Sequence, residues 1–570
     1  MKKTFLLSYL MLAAMPVMAA YTGHVYVDKN KNGVFDQSEK PLAGIKVSDG
    51  LNVVETAADG SFTLPGHERE RFIFITTPSG YKTFNRHYHK IEKKQSGYDF
   101  GLIPYSGRIR KDGSHRYIHI TDTEIFNTEN HADWVNNVHD YARNEQAAFI
   151  IHTGDICYEK GLKAHIKLMN TENMDCPVFY CIGNHDLVKG KYGEELFESI
   201  YGPVYYSFDA GNVHYVVTPM PGGDHAPGYT SDDVCRWLKN DLAHIRPGTP
   251  VVVFNHDLLT YEDTFIFKSK NAGSINLNEY NLKAWVYGHW HINYMKKQGD
   301  VYSVCTSSLD KGGIDHSTTA FRVMHVDSKG DFTSELRYTY LDKNICIASP
   351  AGVMASGVLP VAVNVYSSVS PVREVLYTCL ADGKPVLKNK RLLQSTDWSW
   401  NGELPLSHKY VGKELTLRVT ARFNNGEIAE AESNFICRTE KAVPLFSADW
   451  DNLSGNAKHS APVSAPLNLP LQLAWTNNVG ANLYMTSPLI HKGKVIVASV
   501  DEDLKGVGHV YALNGKDGTI LWSCPVRNSI KNSIAVDSDI VFAQDAQGFL
   551  YAIDTETGKL CWEKQLPVNG

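Results

Sequence analysis

The chain has 570 residues, of which 43% are hydrophobic and 21% are charged. This composition is that of a soluble globular protein and excludes disordered, collagen-like and multispanning membrane classes. At roughly 150 residues per domain, the length predicts about four folded units. The 56 Lys and Arg against 62 Asp and Glu give a net charge of −6, and no basic run suits a phosphate backbone, so we expect no nucleic-acid partner.

Residues 1–20 have the pattern of a signal peptide. Two lysines precede an apolar run from Phe5 to Met18, and two alanines then supply small residues for cleavage. No cysteine lies near this point, so a lipoprotein anchor is not indicated. No later apolar run reaches the roughly 18 residues that a transmembrane helix needs. The sequence therefore predicts export to the periplasm or the cell exterior.

The patterning along the chain predicts a multidomain protein of class α/β plus β. Short period-2 stretches between Asp, Gly and Pro turns fill residues 21–103 and predict a small β-sandwich. From 107 to 341, apolar strands alternate with amphipathic helices, which is typical of an α/β domain. Residues 345–440 return to a β composition and predict a second sandwich, and the Pro, Ser, Ala and Asn of 451–470 predict a linker.

Residues 471–570 contain an internal repeat. The segment from Gly508 to Trp522 recurs from Gly548 to Trp562, and the two tryptophans are 40 residues apart, the length of one four-stranded propeller blade. The repeat resembles the quinoprotein-type β-propeller repeat, but only about two blades fit before residue 570. We expect a partial propeller that a longer polypeptide or another chain completes. We expect no quinone cofactor, and hence no quinoprotein oxidoreductase, because the repeated residues serve blade docking and turns.

Several predicted strands of the α/β segment end at a residue of metal-ligand type. These residues are Asp122, Asp155, Asn184, His256, His289 and His291. The carboxyl ends of the strands of an open α/β sheet converge on one crevice, so we expect these side chains to gather. Carboxylate, amide and imidazole ligands together suit two divalent ions of the Mn, Fe, Zn or Mg kind. Two such ions can activate water and clamp a phosphoryl group, which points to phosphoester hydrolysis.

The order of these motifs resembles the calcineurin-like metallophosphoesterases. The resemblance is carried by Thr121–Glu124, Gly154-Asp155, Gly183–Asp186, His256 and Gly288–His291. It covers about residues 20–440, since the flanking sandwiches are similar to those of exported bacterial members. It implies a central four-layer α/β/β/α sandwich and a phosphomono- or diesterase in which a metal-bridging hydroxide attacks phosphorus. The sequence leaves the phosphoester substrate open.

The resemblance also implies a role for each site residue. One ion would be held by Asp122, Asp155 and His291, and the other by Asp155, Asn184, His256 and His289, so that Asp155 is the bridge. His185 would protonate the leaving group, and Asp186 would orient the His185 ring.

Glu124 departs from the family pattern, which usually has Asp-x-His at this place. Its carboxylate can still coordinate a metal, or it can hydrogen-bond a ligand or water. As a ligand it would bring the net charge of the loaded site to zero, weaken the attraction for phosphate and favour Mn or Mg over Zn. The alternative to an enzyme is a non-catalytic surface or interaction protein with an altered metal site. We expect the flanking β domains to shape the cleft or to bind a partner at the cell surface.

Residues 28–39 match the spacing of an EF-hand loop, although they follow a strand rather than a helix. The ligands would be Asp28, Asn30, Asn32, Val34, Asp36 and Glu39. The spacing fits either a calcium loop or an ordinary Asn/Gly turn, and the role is structural in both cases.

The ten cysteines are too sparse for a disulfide-built scaffold and lack the paired spacing of a structural zinc site. In an oxidising compartment, Cys176 with Cys181 and Cys379 with Cys437 are candidate disulfide pairs.

Overall fold

The computed structural model describes residues 20–567 except 96, 440–448, 461–470 and 472. Among these residues, no helix combines the length and the apolar character needed to cross a bilayer. Almost all of the predicted signal peptide and the second half of the predicted linker lie outside the described residues.

Two small sheets form the first part of the described chain. Their strands are β1 (Tyr21–Val27), β2 (Lys40–Pro41), β3 (Lys46–Ser48), β4 (Val53–Glu55), β5 (Ser61–Leu64), β6 (Phe72–Ile75), β7 (Tyr81–Thr83), β8 (Tyr88–Lys90) and β9 (Phe100–Pro104). One sheet has the order β2-β1-β9-β7 with β5 paired to β1, and the other has the order β4-β3-β6-β8. Val25, Phe62 and Ile73 share one core between them. The period-2 pattern thus places apolar side chains on the facing sides of the two sheets.

Residues 115–338 form two larger sheets with four α-helices. The strands are β10 (His115–Ile120), β11 (Phe149–His152), β12 (Val178–Tyr180), β13 (Tyr206–Ala210), β14 (Val213–Val217), β15 (Val251–Phe254), β16 (Ile266–Lys268), β17 (Ser274–Asn276), β18 (Leu282–Tyr287), β19 (Tyr294–Gln298), β20 (Val301–Cys305), β21 (Ala320–Val326) and β22 (Phe332–Tyr338). The helices are α1 (Ala132–Asn144), α2 (Tyr158–Leu168), α3 (Glu195–Tyr201) and α4 (Ser231–Ala243), with short 3-10 turns at Asn184–Asp186 and Leu277–Tyr280.

Parallel pairing aligns the strand ends that carry the predicted ligands. The first sheet has the order β12-β11-β10-β21-β22, in which β10, β11 and β12 are parallel. The second has the order β13-β14-β15-β18-β20-β19, in which β14, β15, β18 and β20 are parallel. A separate hairpin joins β16 and β17. The carboxyl ends of the parallel strands in each sheet therefore lie at one edge.

Aromatic side chains join the two sheets face to face. Tyr117 of β10 stacks on Phe149 of β11 with ring centroids 4.7 Å apart, and Phe149 meets Tyr215 of β14 edge-on at 4.9 Å. On the other face of the first sheet, Trp134 of α1 packs in a cluster with Ile118 and Ile150. The helix α4 packs into the cluster that contains the second sheet. Large aromatic rings bury much surface and pack in fixed relative orientations, so the strand ends are held rigidly.

Two long sheets follow. Their strands are β23 (Asn344–Ser349), β24 (Gly352–Ala355), β25 (Val358–Tyr366), β26 (Val372–Ala381), β27 (Lys384–Arg391), β28 (Leu393–Gln394), β29 (Ser399–Pro405), β30 (Glu414–Phe423) and β31 (Ile428–Arg438), with a 3-10 turn at His408–Tyr410. The sheet orders are β23-β25-β29-β28 and β24-β31-β30-β26-β27. Alternating apolar residues such as Val363, Trp400 and Val419 fill the core between them.

The two candidate disulfides are not formed, since all four cysteines are free thiols. Cys379 lies on β26 and Cys437 on β31, and β30 runs between these strands. Two strand spacings amount to about 9.6 Å, which exceeds the Cα separation that a disulfide tolerates. Cys176 and Cys181 flank the extended strand β12, which holds them about 16 Å apart by its rise per residue. Spacing along the chain could not reveal either separation.

The last part of the chain forms two four-stranded antiparallel sheets, which match the two repeats. The strands are β32 (Leu489–His491), β33 (Lys494–Ala498), β34 (His509–Asn514), β35 (Ile520–Pro525), β36 (Ala535–Asp537), β37 (Ile540–Gln544), β38 (Phe549–Asp554) and β39 (Leu560–Gln565), preceded by a 3-10 turn at Leu453–Gly455. Trp475 Nε1 donates to the carbonyl of Gly515 at 2.9 Å, and Trp522 Nε1 donates to the carbonyl of Thr555 at 3.0 Å. Each tryptophan thus docks on the turn of the following repeat.

The start of the predicted linker is packed rather than free. Trp450 and Ile490 exchange backbone hydrogen bonds, and the N–H of Val536 donates to the carbonyl of Asp451 at 2.7 Å. The segment therefore contacts both repeat sheets. Its polar and small residues suggested a linker, but backbone pairing overrides composition at these positions.

We predict that Gly558→Ala destabilises the repeats more than the matched change Gly493→Ala. Both glycines have φ near +70°, so both alanines carry the same backbone strain of about 1 kcal/mol. A Cβ at Gly558 would lie 2.6 Å from the Trp522 ring, whereas one at Gly493 meets nothing within 4 Å. Overpacking of this kind costs about 1–3 kcal/mol more. Urea unfolding followed by tryptophan fluorescence measures the difference, and equal losses in the two variants would contradict the docking role of Trp522.

Candidate metal centre

The predicted ligands lie in loops that leave the carboxyl ends of five strands. Asp122 follows β10, Asp155 follows β11, Asn184 follows β12, His256 follows β15, and His289 and His291 follow β18. The backbone is left-handed at several of them, with φ of +51° at Asp122, +54° at Asp155 and +66° at His289. Non-glycine residues at such angles cost of order 1–3 kcal/mol and persist only where the surroundings determine their conformation. The fold therefore holds these side chains in set directions.

Glycines let these loops approach one another. A Cβ at Gly183 would lie 2.2 Å from Asp155 Oδ1, and a Cβ at Gly288 would lie 2.6 Å from Asp122 Oδ2. Since no side chain fits at either distance, both glycines are required by the close packing around the two carboxylates.

Atoms of the predicted ligands form two groups that share Asp155, and Asp155 also forms a third group with Glu124 and Cys157. The atoms offered by Asp155, His256 and His289 all lie within 4.8 Å of one another, and so do those of Asp122, Asp155 and His291. Asp155 Oδ2 is 3.1 Å from His256 Nε2, and Asp122 Oδ1 is 3.3 Å from His291 Nε2. The structure thus brings five of the predicted ligands together around one buried carboxylate.

Asn184 Oδ1 is buried and has no hydrogen-bond partner within the described chain, and His256 Nε2 can pair with Asp155 Oδ2, 3.1 Å away, only when its ring is protonated. A buried polar atom left in this way costs about 1–3 kcal/mol and calls for an explanation. His256 Nδ1 lies 2.7 Å from the carbonyl oxygen of Thr153, to which it donates. The lone pair of a neutral ring is then on Nε2, which points into the cleft. A divalent cation would satisfy both atoms, so the residues present fit a metal.

Two buried carboxylates, Asp122 and Asp155, bring negative charge into the cleft. Burial disfavours the charged imidazole of His256, yet the carboxylates of Asp155 and Asp122 raise its pKa to about 10. Burial likewise disfavours the charged form of Asp155, but His256 and the backbone N–H of His185 lower its pKa. The carboxylates of Asp122 and Asp155 stabilise a positive charge on the buried His256 ring. The same negative charge would stabilise a bound cation.

His185 lies at the mouth of the cleft with a third of its side chain exposed. Its backbone N–H donates to Asp155 Oδ1 at 3.0 Å, and its Nδ1 is 2.9 Å from Asp224 Oδ2. Partial burial opposes the charged ring, but the hydrogen bond to Asp224 and the nearby carboxylates raise the pKa of His185. Asp224 therefore orients this ring and favours its protonated form.

The prediction that Asp186 orients His185 is wrong. The buried Asp186 carboxylate accepts the backbone N–H groups of Cys157 and Gly183, each at 2.9 Å. Burial and the charge of Asp155 raise the pKa of Asp186 to about 7. The two residues are adjacent in a 3-10 turn, in which neighbouring side chains point in different directions. Asp186 fastens the loops after β11 and β12 to each other.

Glu124 faces the ligand group of Asp122, and it forms an ion pair that the sequence does not reveal. Its Oε1 is 3.6 Å from His291 Nε2, and its Oε2 is 3.0 Å from Lys311 Nζ. Lys311 also donates to the Glu124 carbonyl oxygen at 3.0 Å. The lysine is 187 residues away along the chain, so no local motif connects the two. Asp224 went unrecognised for the same reason, since its loop has no motif.

The predicted calcium loop is folded by its own side chains. Asp28 Oδ2 accepts the N–H of Gly33 at 2.9 Å, Asn32 Oδ1 accepts the N–H of Val34 at 2.8 Å, and Asn30 Nδ2 donates to Asp36 at 2.7 Å. Glu39 closes the loop by accepting the N–H of Lys29 at 2.8 Å. These bonds hold the loop in shape, and calcium binding there stays a prediction.

Three family profiles match the chain. "N terminal of Calcineurin-like phosphoesterase" matches residues 29–104, "Calcineurin-like phosphoesterase" matches residues 115–293, and "Outer membrane protein assembly factor BamB" matches residues 472–569. Purple acid phosphatase 13 of Arabidopsis thaliana is 26% identical over 215 residues, which are 35% of this chain and 36% of that protein. The chain thus spans about a third of the length of this curated relative.

Solved structures also resemble parts of the chain. BamB from Moraxella catarrhalis is 16% identical with a TM-score of 0.15, over 17% of this chain and 28% of that chain. A conserved uncharacterized protein from Streptococcus pneumoniae TIGR4, described as a predicted phosphoesterase, is 12% identical with a TM-score of 0.20, over 40% of this chain and 98% of that chain. These TM-scores are too low to support an inference. Residues 115–293 therefore resemble a calcineurin-like phosphoesterase domain, after a segment that matches the N-terminal domain of that family and before a segment that matches BamB.

Proposed function

We propose that the protein is an exported dinuclear-metal phosphoesterase that hydrolyses a phosphomonoester or a phosphodiester. The observation that carries the proposal is the position of Asp155, whose carboxylate belongs to both ligand groups. A carboxylate shared by two ligand groups would hold two ions close together, as in two-metal hydrolytic sites. The family match supports a metal-dependent phosphoesterase in general. Export is supported by the N-terminal sequence pattern.

The proposed metal ligands are those of the two groups with Asn184 added. Asp122, Asp155 and His291 would hold one ion, and Asp155, Asn184, His256 and His289 would hold the other. When bound, two divalent ions would supply an activated water and neutralise charge on the phosphoryl group. Oxygen and imidazole ligands suit Mn, Fe, Zn or Mg. We also infer the order α/β/β/α for this domain, which the packing of α1 and α4 against the two sheets supports.

His185 is the proposed general acid. Its Nδ1 is engaged by Asp224, so Nε2 is the atom left to donate a proton to the leaving oxygen. The hydrogen bond to Asp224 and the nearby carboxylates raise the pKa of this ring, which favours the protonated form that a general acid needs. Because a third of the side chain is exposed, the ring can take up another proton from solvent after each turnover.

Lys311 compensates for the unusual Glu124. With Glu124 as a ligand, two divalent ions, three carboxylates and one hydroxide would sum to zero charge. The ammonium group of Lys311, 3.0 Å from Glu124 Oε2, returns one positive charge to this side of the cleft. Positive charge beside the site favours the approach of an anionic phosphoester.

A non-catalytic interaction protein is the second candidate. The observation that favours it is the same ion pair, because Lys311 occupies a carboxylate oxygen that would otherwise face a metal. The two candidates differ in whether the wild-type protein hydrolyses any phosphoester.

We expect wild-type protein supplied with Mn to hydrolyse p-nitrophenyl phosphate or bis(p-nitrophenyl) phosphate, and Asp155→Asn to abolish this activity. Loss of the shared carboxylate removes a ligand from both groups, so the metal content should fall from two ions per chain toward none. Elemental analysis and a chromogenic assay measure both effects. Asp257→Asn is the matched control, since Asp257 Oδ1 accepts Trp290 Nε1 and belongs to neither group. An inactive wild type that holds metal would favour the interaction protein.

We expect His185→Ala to lower kcat by about 10²–10⁴-fold for alkyl phosphoesters and by less for p-nitrophenyl esters, whose leaving group needs no proton. Asp224→Asn should lower kcat for alkyl esters without changing the melting temperature, because both residues of that pair are partly exposed. Asp186→Asn should instead lower the melting temperature, because the buried carboxylate holds two backbone N–H groups. Steady-state kinetics and thermal unfolding separate these effects. The assignment fails if Asp224→Asn spares kcat while Asp186→Asn removes it with the melting temperature unchanged.

We expect Glu124→His to shift metal preference toward Zn. The change replaces a carboxylate next to His291 with an imidazole, which suits Zn better than Mn or Mg. Elemental analysis of protein reloaded from an equimolar mixture of Mn and Zn measures the shift. The control Lys311→Met removes only the charge partner and should leave the ratio nearly unchanged. An unchanged ratio in Glu124→His would place Glu124 outside the ligand set.

A further inference from the structure

Two exposed aromatic rings lie beside the candidate metal centre and have no role in the proposed reaction. Phe126 and Tyr158 are 57% and 43% exposed. Their rings are stacked, with centroids 6.3 Å apart and planes within 17° of each other. Paired rings held open to solvent at the mouth of a cleft differ from scattered surface hydrophobes, which need no explanation.

The pair lies on the side of the cleft where the leaving group departs. The Tyr158 ring centroid is 5.3 Å from that of His185, the proposed proton donor to the leaving oxygen. A leaving group that takes its proton from His185 would therefore pass over these rings.

The backbone that positions the Tyr158 ring is strained. Cys157 has φ of +74° and Tyr158 has φ of +54°, two consecutive left-handed residues without a glycine. Such residues cost of order 1–3 kcal/mol each. The strained turn is held by Asp186, which accepts the N–H of Cys157 at 2.9 Å. The same buried carboxylate that joins the ligand loops thus also fixes the position of the ring.

The other aromatic pair at the cleft is built into the wall. Trp290 stacks on Tyr261 at 6.0 Å, but its Nε1 donates to Asp257 at 3.1 Å and its ring meets Tyr287 edge-on at 5.1 Å. The Trp290 ring is therefore packed against other side chains on several sides. Phe126 and Tyr158 instead face solvent next to the proton donor.

We propose that Phe126 and Tyr158 form a platform that stacks against a planar aromatic ring in the leaving group of the phosphoester. The preferred substrates would be phosphoesters of aryl-bearing alcohols or of nucleosides, which share this flat ring. The proposal rests on the proposed phosphoesterase function. Flat rings stack on exposed aromatic faces, whereas saturated groups of the same size lose the ring–ring interaction.

The test compares substrates that carry an aromatic ring with partners in which the ring is saturated or absent. Benzyl phosphate is compared with cyclohexylmethyl phosphate, and adenosine 5′-phosphate with ribose 5-phosphate, each also as its methyl diester. All of them leave through a CH2–O oxygen, so the demand on His185 is similar. We expect kcat/KM to favour the aromatic member of at least one pair by about tenfold, the equivalent of about 1.4 kcal/mol of stacking.

Variants of the two rings test whether Phe126 and Tyr158 cause the preference for aromatic substrates. Phe126→Ala and Tyr158→Leu should each lower the ratio of aromatic to saturated kcat/KM several-fold, and Tyr158→Phe should retain it. Tyr261→Ala, which removes a still more exposed ring at 73%, is the matched control and should leave the ratio unchanged. Phe126 lies in an exposed loop, so its variant tests the platform even where a change at the strained Tyr158 disturbs folding.

A binding measurement separates this proposal from the proposed function. Calorimetry with benzylphosphonate and cyclohexylmethylphosphonate on Mn-loaded protein should show tighter binding of the aromatic ligand. Equal hydrolysis and equal binding of the paired ligands would overturn the platform alone. A ratio that responds to Tyr261→Ala but not to Phe126→Ala would overturn it as well. Failure to hydrolyse any ester or to bind either phosphonate would overturn the phosphoesterase, and the platform with it.

Discussion

The structure depends on a buried carboxylate that serves two sets of ligands. Burying the charge of Asp155 is costly unless other groups compensate for it. His256 lies 3.1 Å away, and the backbone N–H of His185 donates to the same side chain. This need for compensation explains the left-handed backbone and the absence of a side chain at Gly183. Both features bring polar groups closer to the carboxylate than an ordinary loop would allow. The arrangement concentrates negative charge where a pair of cations would neutralise it.

The flanking domains brace the loops around this carboxylate. Arg71 of the N-terminal domain pairs with the buried Glu194 at 2.7 Å, next to the chain that follows the His185 turn. From the segment between the two repeat sheets, Lys531 pairs with Asp315 at 2.7 Å and donates to the carbonyl of Asn293, two residues beyond His291. These ion pairs are partly buried and join the flanking segments to loops near the site. The segments before and after the phosphoesterase-like segment therefore help to position the loops that carry the proposed ligands.

The groups that distinguish this site lie at its rim. Lys311 beside Glu124 and Asp224 beside His185 adjust charge at the two ends of the cleft, and Phe126 with Tyr158 adds a flat apolar surface. In the proposed function, the buried ligands would determine which reaction the cleft supports, because they would set the charge and the metal. The rim would determine which ester binds, because rim groups would contact the part of the substrate beyond phosphorus.

The sequence by itself determined the two repeats and the gathering of Asp122, Asp155, His256, His289 and His291. These follow from periodicity and from the rule that parallel strands end at one edge, both of which are local or topological. Only the tertiary structure decided that Asp224 rather than Asp186 orients His185, that Lys311 meets Glu124, and that the candidate cysteine pairs are held apart by strands. Each of these findings depends on which loops or strands lie opposite each other in the folded protein. Contacts between residues distant in the chain leave no pattern in a single sequence.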